Sequence, residues 1–263
     1  MREVVRKAVS SIRSRYSEQI TLSDLAAEVF VSPYHFSRVF SSEVGVTPGQ
    51  YLSAVRFFEA KRLLLTTTLT VSDIVCSVGY NSVGTFTSRF TRAVGMSPTQ
   101  YRHPEVKRMM LAVSPEFQRL PTPELVRQAE RSCGAAGGGS VDCAVELPRS
   151  AGRVDFLVGV FADSIPQCAP VAYHTGSASR TVRVTVHDVP EGRWTVIAVA
   201  CRAGALPLLL GASRQRIAVT RGRTAPVTVR LRDLVPTDPP IAVTLVSRLP
   251  SQQSYAAAES TAA

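Results

Sequence analysis

The chain has 263 residues, enough for one large or two ordinary domains, and carries 30 Lys and Arg against 20 Asp and Glu, a net charge of +10. The excess is denser before residue 110, with 14 basic and 8 acidic residues, than after it, with 16 and 12, as expected for a polyanion partner. The composition excludes a disulfide framework, since five cysteines are scattered and odd in number; no secretory opening segment is visible, and the longest apolar runs, such as 194–201, are too short to span a membrane. A reducing cytoplasm is the simplest compartment.

Residues 1–103 read as helical. Val5, Ala8, Val9, Ile12 and Tyr16 recur at three and four and place one apolar stripe on a first helix. Thr21-Leu22-Ser23-Asp24 has the form of a capping box: the Thr hydroxyl accepts an orphan backbone N–H and the acid three residues on reciprocates. Thr70-Val71-Ser72-Asp73 repeats the device. From about residue 104 the pattern is interrupted by Pro104, Pro115, Pro121 and Pro123, although Thr122-Pro123-Glu124 has the form of a helix start. Residues 134–140, Gly-Ala-Ala-Gly-Gly-Gly-Ser, have the composition of a flexible linker.

Beyond the linker the period changes to two. Residues 182–186, 227–231 and 241–245 alternate as half-buried strands do, and with 154–161, 194–201 and shorter runs they predict a β-sandwich of about six or seven strands. The Ala- and Ser-rich tail, 251–263, is expected to be disordered.

The helical part repeats itself at an offset of about fifty residues. Ser32 meets Ser82, Phe36 meets Phe86, Phe40 meets Phe90, and Val44-Gly45-Val46-Thr47-Pro48-Gly49-Gln50-Tyr51 meets Val94-Gly95-Met96-Ser97-Pro98-Thr99-Gln100-Tyr101. Each copy reads as a capped helix, a short turn and a second helix, the form of a helix-turn-helix, whose second helix enters the DNA major groove. In the first copy Phe36, Val39 and Phe40 pack inward, and Tyr34, Ser37, Arg38 and Ser41 share the opposite face. An Arg fork on that face can bind guanine O6 and N7 together. The bland alternative is a solvated helix face; the duplicated framework favours DNA.

These residues identify a resemblance. The stretches ITLSDLAAEVFVSPYHFSRVFSSEVGVTPGQYL and LTVSDIVCSVGYNSVGTFTSRFTRAVGMSPTQYR are similar to the AraC/XylS family of bacterial transcription regulators over residues 1 to about 103. The resemblance implies an all-α domain of about seven helices, with one long helix over Pro48–Thr66 setting two helix-turn-helix units in successive major grooves. It carries groove-facing roles to Tyr34, Ser37 and Arg38 in the first unit, and to Val83, Gly84, Thr85, Thr87 and Ser88 in the second; His35 and Ser41 complete the first set of candidate DNA contacts. Two departures stand out. Ser88 stands where the family often has Arg, with Arg89 one position later and so about 100° around the helix, toward the side Val39 holds in the first unit. Gly84 stands where larger side chains are usual. Arg89 and Arg92 are then candidate phosphate contacts.

The expected architecture is therefore multidomain: a double helix-turn-helix domain over 1–104, a linker with a short helix over 105–140, a β-sandwich over 141–250 and the tail. Residues 189–199 weakly resemble the turn and strand of transthyretin-like sandwiches, with Trp194 placed in the core. No nucleophile elbow, phosphate loop, zinc motif or methyl-acceptor cysteine site is present, and His187 and Asp188 are strand neighbours pointing to opposite faces. The expectation is a DNA-binding regulator, not an enzyme, with no metal or cofactor. Double-stranded DNA is the expected partner; RNA polymerase and a small-molecule effector of the β-domain are further candidates. The rival reading makes the β-domain a carbohydrate- or protein-interaction module that the helices localise on DNA.

Overall fold

The computed structural model describes residues 2–130, 138–202 and 205–245. Seven helices occupy the first hundred residues: α1 (Arg2–Arg15), α2 (Leu22–Glu28), α3 (Pro33–Val44), α4 (Pro48–Thr66), α5 (Val71–Ser77), α6 (Val83–Val94) and α7 (Pro98–Tyr101). Side-chain caps that satisfy the orphan N–H groups of a helix start set their boundaries. Thr21 with Asp24 and Thr70 with Asp73 form complete capping boxes, the Asp carboxylates accepting the cap N–H at 2.8 and 3.1 Å. Two further boxes, Thr47 with Gln50 and Ser97 with Gln100, lie inside the repeated closure, where Pro48 and Pro98 open the helix. Gly45 and Gly95, both at φ +83°, end α3 and α6 in the left-handed conformation open to glycine. Tyr51 and Tyr101 then lie fully buried, edge-on to Phe40 and Phe90 at 5.7 and 5.6 Å. The repeated stretch is thus a helix stop, a helix start and an aromatic anchor in succession.

Each unit is built around its own core. Val5, Ile12, Leu25, Phe36, Phe40 and Tyr51 belong to the first, and Phe57, Ile74, Phe86, Phe90 and Tyr101 to the second. Because α4 serves both cores, it is buried on several sides rather than along one stripe.

After α7 come α8 (Pro104–Arg108), β1 (Met110–Val113), β2 (Gln118–Arg119) and α9 (Pro123–Glu130). The remaining strands are β3 (Gly139–Glu146), β4 (Val154–Phe161), β5 (Ala172–Ala178), β6 (Val182–Val189), β7 (Gly192–Arg202), β8 (Ala205–Ala212), β9 (Ile217–Val219), β10 (Thr224–Arg230), β11 (Arg232–Asp233) and β12 (Ile241–Thr244). They form a β10-β3-β6 sheet, a β11-β8-β7-β4-β5 sheet with β9 on β7, and a β12-β1-β2 sheet. Val141, Cys143 and Val145 of β3 share one core with Val158 and Val160 of β4 and Val196 and Ala198 of β7, which makes the first two sheets a sandwich. Leu157, Phe161, Ile197 and Val199, of the opposite parity on β4 and β7, enter a second core with α9, β1 and β12.

Two expectations are corrected. Residues 105–140, expected as a linker with one short helix, contain that helix as α9 but also β1 and β2, which are part of the folded body. Residues 241–245, expected as a half-buried strand of the sandwich, leave it: β12 is buried throughout and pairs antiparallel with β1, Ala242 opposite Ala112. Of the Gly-rich stretch, Gly139 and Ser140 belong to β3 and 131–137 lie outside the described residues, as does the tail 251–263.

The β12-β1-β2 sheet is a wall with a different core on each side. Met110, Ala112 and Ala242 belong to the core of the second helical unit, whereas Leu111, Val113, Ile241 and Val243 belong to the core against the sandwich. The paired alanines leave room for α4, whose Lys61 is completely buried there. Its Nζ donates to the main-chain oxygens of Ala242 and Gln167, each at 2.7 Å, and to the Gln167 side-chain oxygen at 3.0 Å. Three acceptors occupy all three ammonium donors. Elsewhere Arg13 of α1 donates to the Tyr51 hydroxyl at 3.1 Å and to the Asp238 carbonyl at 2.8 Å, and Tyr51 donates to that same carbonyl at 3.1 Å.

Burial lowers the Lys61 pKa to about 7. The folded value lies below the unfolded one, so the cost of burying the charge is fully present below pH 7 and fades as pH rises toward the unfolded value. Lys61→Met strands the carbonyls and should cost about 2–4 kcal/mol. Urea unfolding at pH 6.5 and pH 9 should show wild type more stable than Lys61→Met at both, with the wider gap at pH 9.

Candidate nucleic-acid interface

Ser32 and Ser82 cap α3 and α6, their hydroxyls accepting the N–H of His35 and Thr85. Phe36, Phe40, Phe86 and Phe90 are fully buried and fix the rotation of each helix. On α3 this leaves Tyr34 74% exposed, with the Arg38 guanidinium 5.9 Å from its ring centroid, one turn along the same face. His35 is exposed beside them, while Ser37 and Ser41 are half-buried and offer only short-range groups.

On α6 the corresponding surface is shallower. Val83, Gly84, Thr85 and Ser88 are exposed and Thr87 is half-buried. Arg89 and Arg92 are exposed too. Val39, the counterpart of Arg89, packs half-buried against the first core, so the two positions are used differently: the Arg stem carries its charge out to solvent. Among the described residues Arg38, Arg89 and Arg92 have no salt-bridge partner. One other cation of the helical part is structural. Arg56 of α4 donates to the carbonyls of Tyr16 at 2.8 Å and Glu18 at 2.7 Å and lies 5.5 Å from the Tyr80 ring centroid, which ties the end of α1 to the second unit.

The turns between the paired helices also differ. Gly79, at φ +79°, is buried, and a Cβ there would lie 2.7 and 2.8 Å from the carbonyl oxygens of Tyr16 and Ser17. Phe30 occupies the matching position in the first unit at φ +58° and is 94% exposed. No local sequence pattern marks Arg56 for this role, and Phe30 is signalled only by standing where the repeat has glycine.

In the β-region, the His187 ring Nδ1 lies 3.4 Å from the Ser140 hydroxyl, and His187 and Asp188 are both exposed. Trp194 is half-buried against the sandwich core and donates its indole N–H to the Pro190 carbonyl at 2.8 Å. Burial pushes the Cys143 thiol up to about 12, and Cys133 lies outside the described residues. Among the described residues no group of three His, Cys, Asp or Glu side chains is placed to hold a metal, and no helix is long and apolar enough to cross a membrane.

Residues 25–103 match the family model described as a helix-turn-helix domain. The lactose operon transcription activator of Staphylococcus xylosus is 34% identical over 101 residues, 38% of this chain and 36% of that protein. An HTH-type transcriptional regulator of Mycobacterium tuberculosis is 41% identical over 90 residues, 34% of this chain and 35% of that one. Among solved structures, the C-terminal domain of AraT, a response regulator from Geobacillus stearothermophilus, is similar at 36% identity and a TM-score of 0.37, covering 38% of this chain and 83% of that one. The chain thus spans about a third of the length of these curated relatives. Residues 25–103 are similar to helix-turn-helix domains of transcription regulators.

Two glycines in the second unit should respond oppositely to substitution. Gly84→Ala meets only the Ser82 hydroxyl, at 3.9 Å, and should stabilise by up to about 1 kcal/mol. Gly79→Ala combines a positive φ with contact against backbone oxygens and should destabilise by more than about 1 kcal/mol. Thermal melting of the two variants checks both signs.

Proposed function

We propose that this chain is a sequence-specific DNA-binding transcription regulator that presents α3 and α6 to successive major grooves of one duplex. The observation that carries the reading is the pair of exposed helix faces. Tyr34 and Arg38 on one, and Arg89 and Arg92 on the other, are exposed, the three arginines without a salt-bridge partner among the described residues, while Lys61 and Arg56 brace the scaffold between them. The similarity of residues 25–103 to regulators of known operons supports it. The first unit then supplies base readout, since an Arg held over a Tyr ring presents a pre-oriented fork. The second supplies mainly phosphate charge, which positions without specifying. The reading assigns the protein no catalytic step and places it in the cytoplasm.

Arg38→Ala should cost about 1–3 kcal/mol on the preferred site and relax preference at one or two adjacent base pairs. Equal weakening on every sequence, with a shallower salt dependence, would move Arg38 to the backbone.

Site selection with the full chain should return one sharply defined block of bases and, about 10 bp away, a weaker one. Two equally sharp blocks would mean that Val83, Thr85 and Ser88 read bases as effectively as Tyr34 and Arg38. Absence of any selected sequence would overturn the regulator reading itself.

A further inference from the structure

The wall sheet has a pocket on its sandwich side. Between α9, β1 and the strands β4, β5 and β7 lies a cavity of about 130 Å³. Its apolar lining includes Leu111 of β1, Leu120, Val126 of α9, Phe156, Leu157 and Val199. Its polar lining includes Asp155, which accepts from the Ser177 hydroxyl at 2.5 Å, and Arg127, which pairs with Glu124 outside the pocket at 3.2 Å. The cover is held in place, because the Tyr173 hydroxyl donates to the Val126 carbonyl of α9 at 3.2 Å.

A dry cavity of roughly 150 Å³ lined by Leu, Ile and Phe takes up one benzene-sized molecule. This pocket has about that capacity but opens to solvent on one side, where Ser177 is exposed. It adds a half-buried carboxylate with one oxygen committed to Ser177 and acceptor capacity remaining. A ligand hydroxyl can donate to Asp155, whereas a ligand carboxylate would meet it as a like charge. We propose that the pocket is an effector site for a neutral single-ring aromatic molecule bearing a hydroxyl group, and that occupancy is relayed through β1 to the connector helix α4.

The relay follows from the parity of the wall strand. Leu111 touches the pocket, while its neighbours Met110 and Ala112 point through the sheet into the helical core. Ala112 sits opposite Ala242, whose carbonyl holds Lys61 of α4. Filling the pocket therefore braces the strand that sets the position of the helix joining both reading units. The ligand class and the relay stand independently of DNA; only their regulatory consequence rests on the function proposed above.

Phenol is the probe, with benzene and benzoate as comparisons. At several times its dissociation constant, phenol should raise the melting midpoint of the full chain by roughly 2–4 °C, benzene by less, and benzoate not at all. Leu120→Trp, which fills the pocket from its half-buried rim, should abolish the phenol shift; Leu120→Met, of similar volume, should keep it. Hydrogen exchange with phenol bound should slow at Pro48–Thr66 and Met110–Val113 in wild type and not in Leu120→Trp. No phenol shift, or an equal shift in Leu120→Trp, overturns the site. A shift with unchanged exchange in α4 overturns the relay. If both hold while phenol leaves DNA affinity unaltered, or no DNA site exists, the failure belongs to the regulatory consequence or to the DNA reading, and the pocket stands.

Discussion

A buried ammonium group lies at the joint between the helical and β-rich halves of this protein. Lys61 leaves the connector helix, enters the interface and meets carbonyls from the β4–β5 loop and from the last described strand. A buried cation needs every donor satisfied, and here three oxygens do so. The arrangement in turn requires small residues at Ala112 and Ala242, because larger side chains would hold α4 away from the sheet. These hydrogen bonds tie the connector helix to the wall sheet and to the β4–β5 loop at once.

The wall sheet extends that constraint. Its residues alternate between two cores, so a helix-packing surface and a sandwich-packing surface are made from the same eight residues of β1 and β12. β12 lies more than a hundred residues from β1 in sequence, and closing that loop encloses the entire sandwich. Ile165, from the β4–β5 loop, joins the core of the first helical unit, and Asp238 accepts from both Arg13 and Tyr51 there. Both helical units therefore touch the β-region, through different segments: the first through Ile165 and Asp238, the second through α4 and the wall sheet.

The two units share a framework and differ at their surfaces. Caps, glycine stops and buried Tyr–Phe pairs are nearly superimposable in kind, because they solve the same problem of ending one helix and starting the next. Their exposed positions obey no such constraint. Phe30 stands in solvent where Gly79 is pressed against two carbonyls, and the Tyr34–Arg38 pair stands where the second unit has Gly84 and Ser88.

Much of the helical region could be read from sequence because its determinants are local. A Thr with Asp three residues on, a Pro at the first helical position and a Gly after the last turn each act within one helical turn, so α2, α4 and α5 begin where the caps stand. Period two was equally local, and it located β6 and β10, while apolar runs marked β4 and β7. The sequence by itself determined these elements and the outward face of α3. Only the tertiary structure decided what each apolar strand packs against. Residues 241–245 carry the same alternation whether they join the sandwich or the wall, since alternation specifies two faces and not two partners. Likewise nothing in the residues around Lys61 distinguishes it from a surface cation of its helix. Its burial depends on two carbonyl-bearing segments more than a hundred residues away, and a main-chain oxygen leaves no trace in the identity of the residue that carries it.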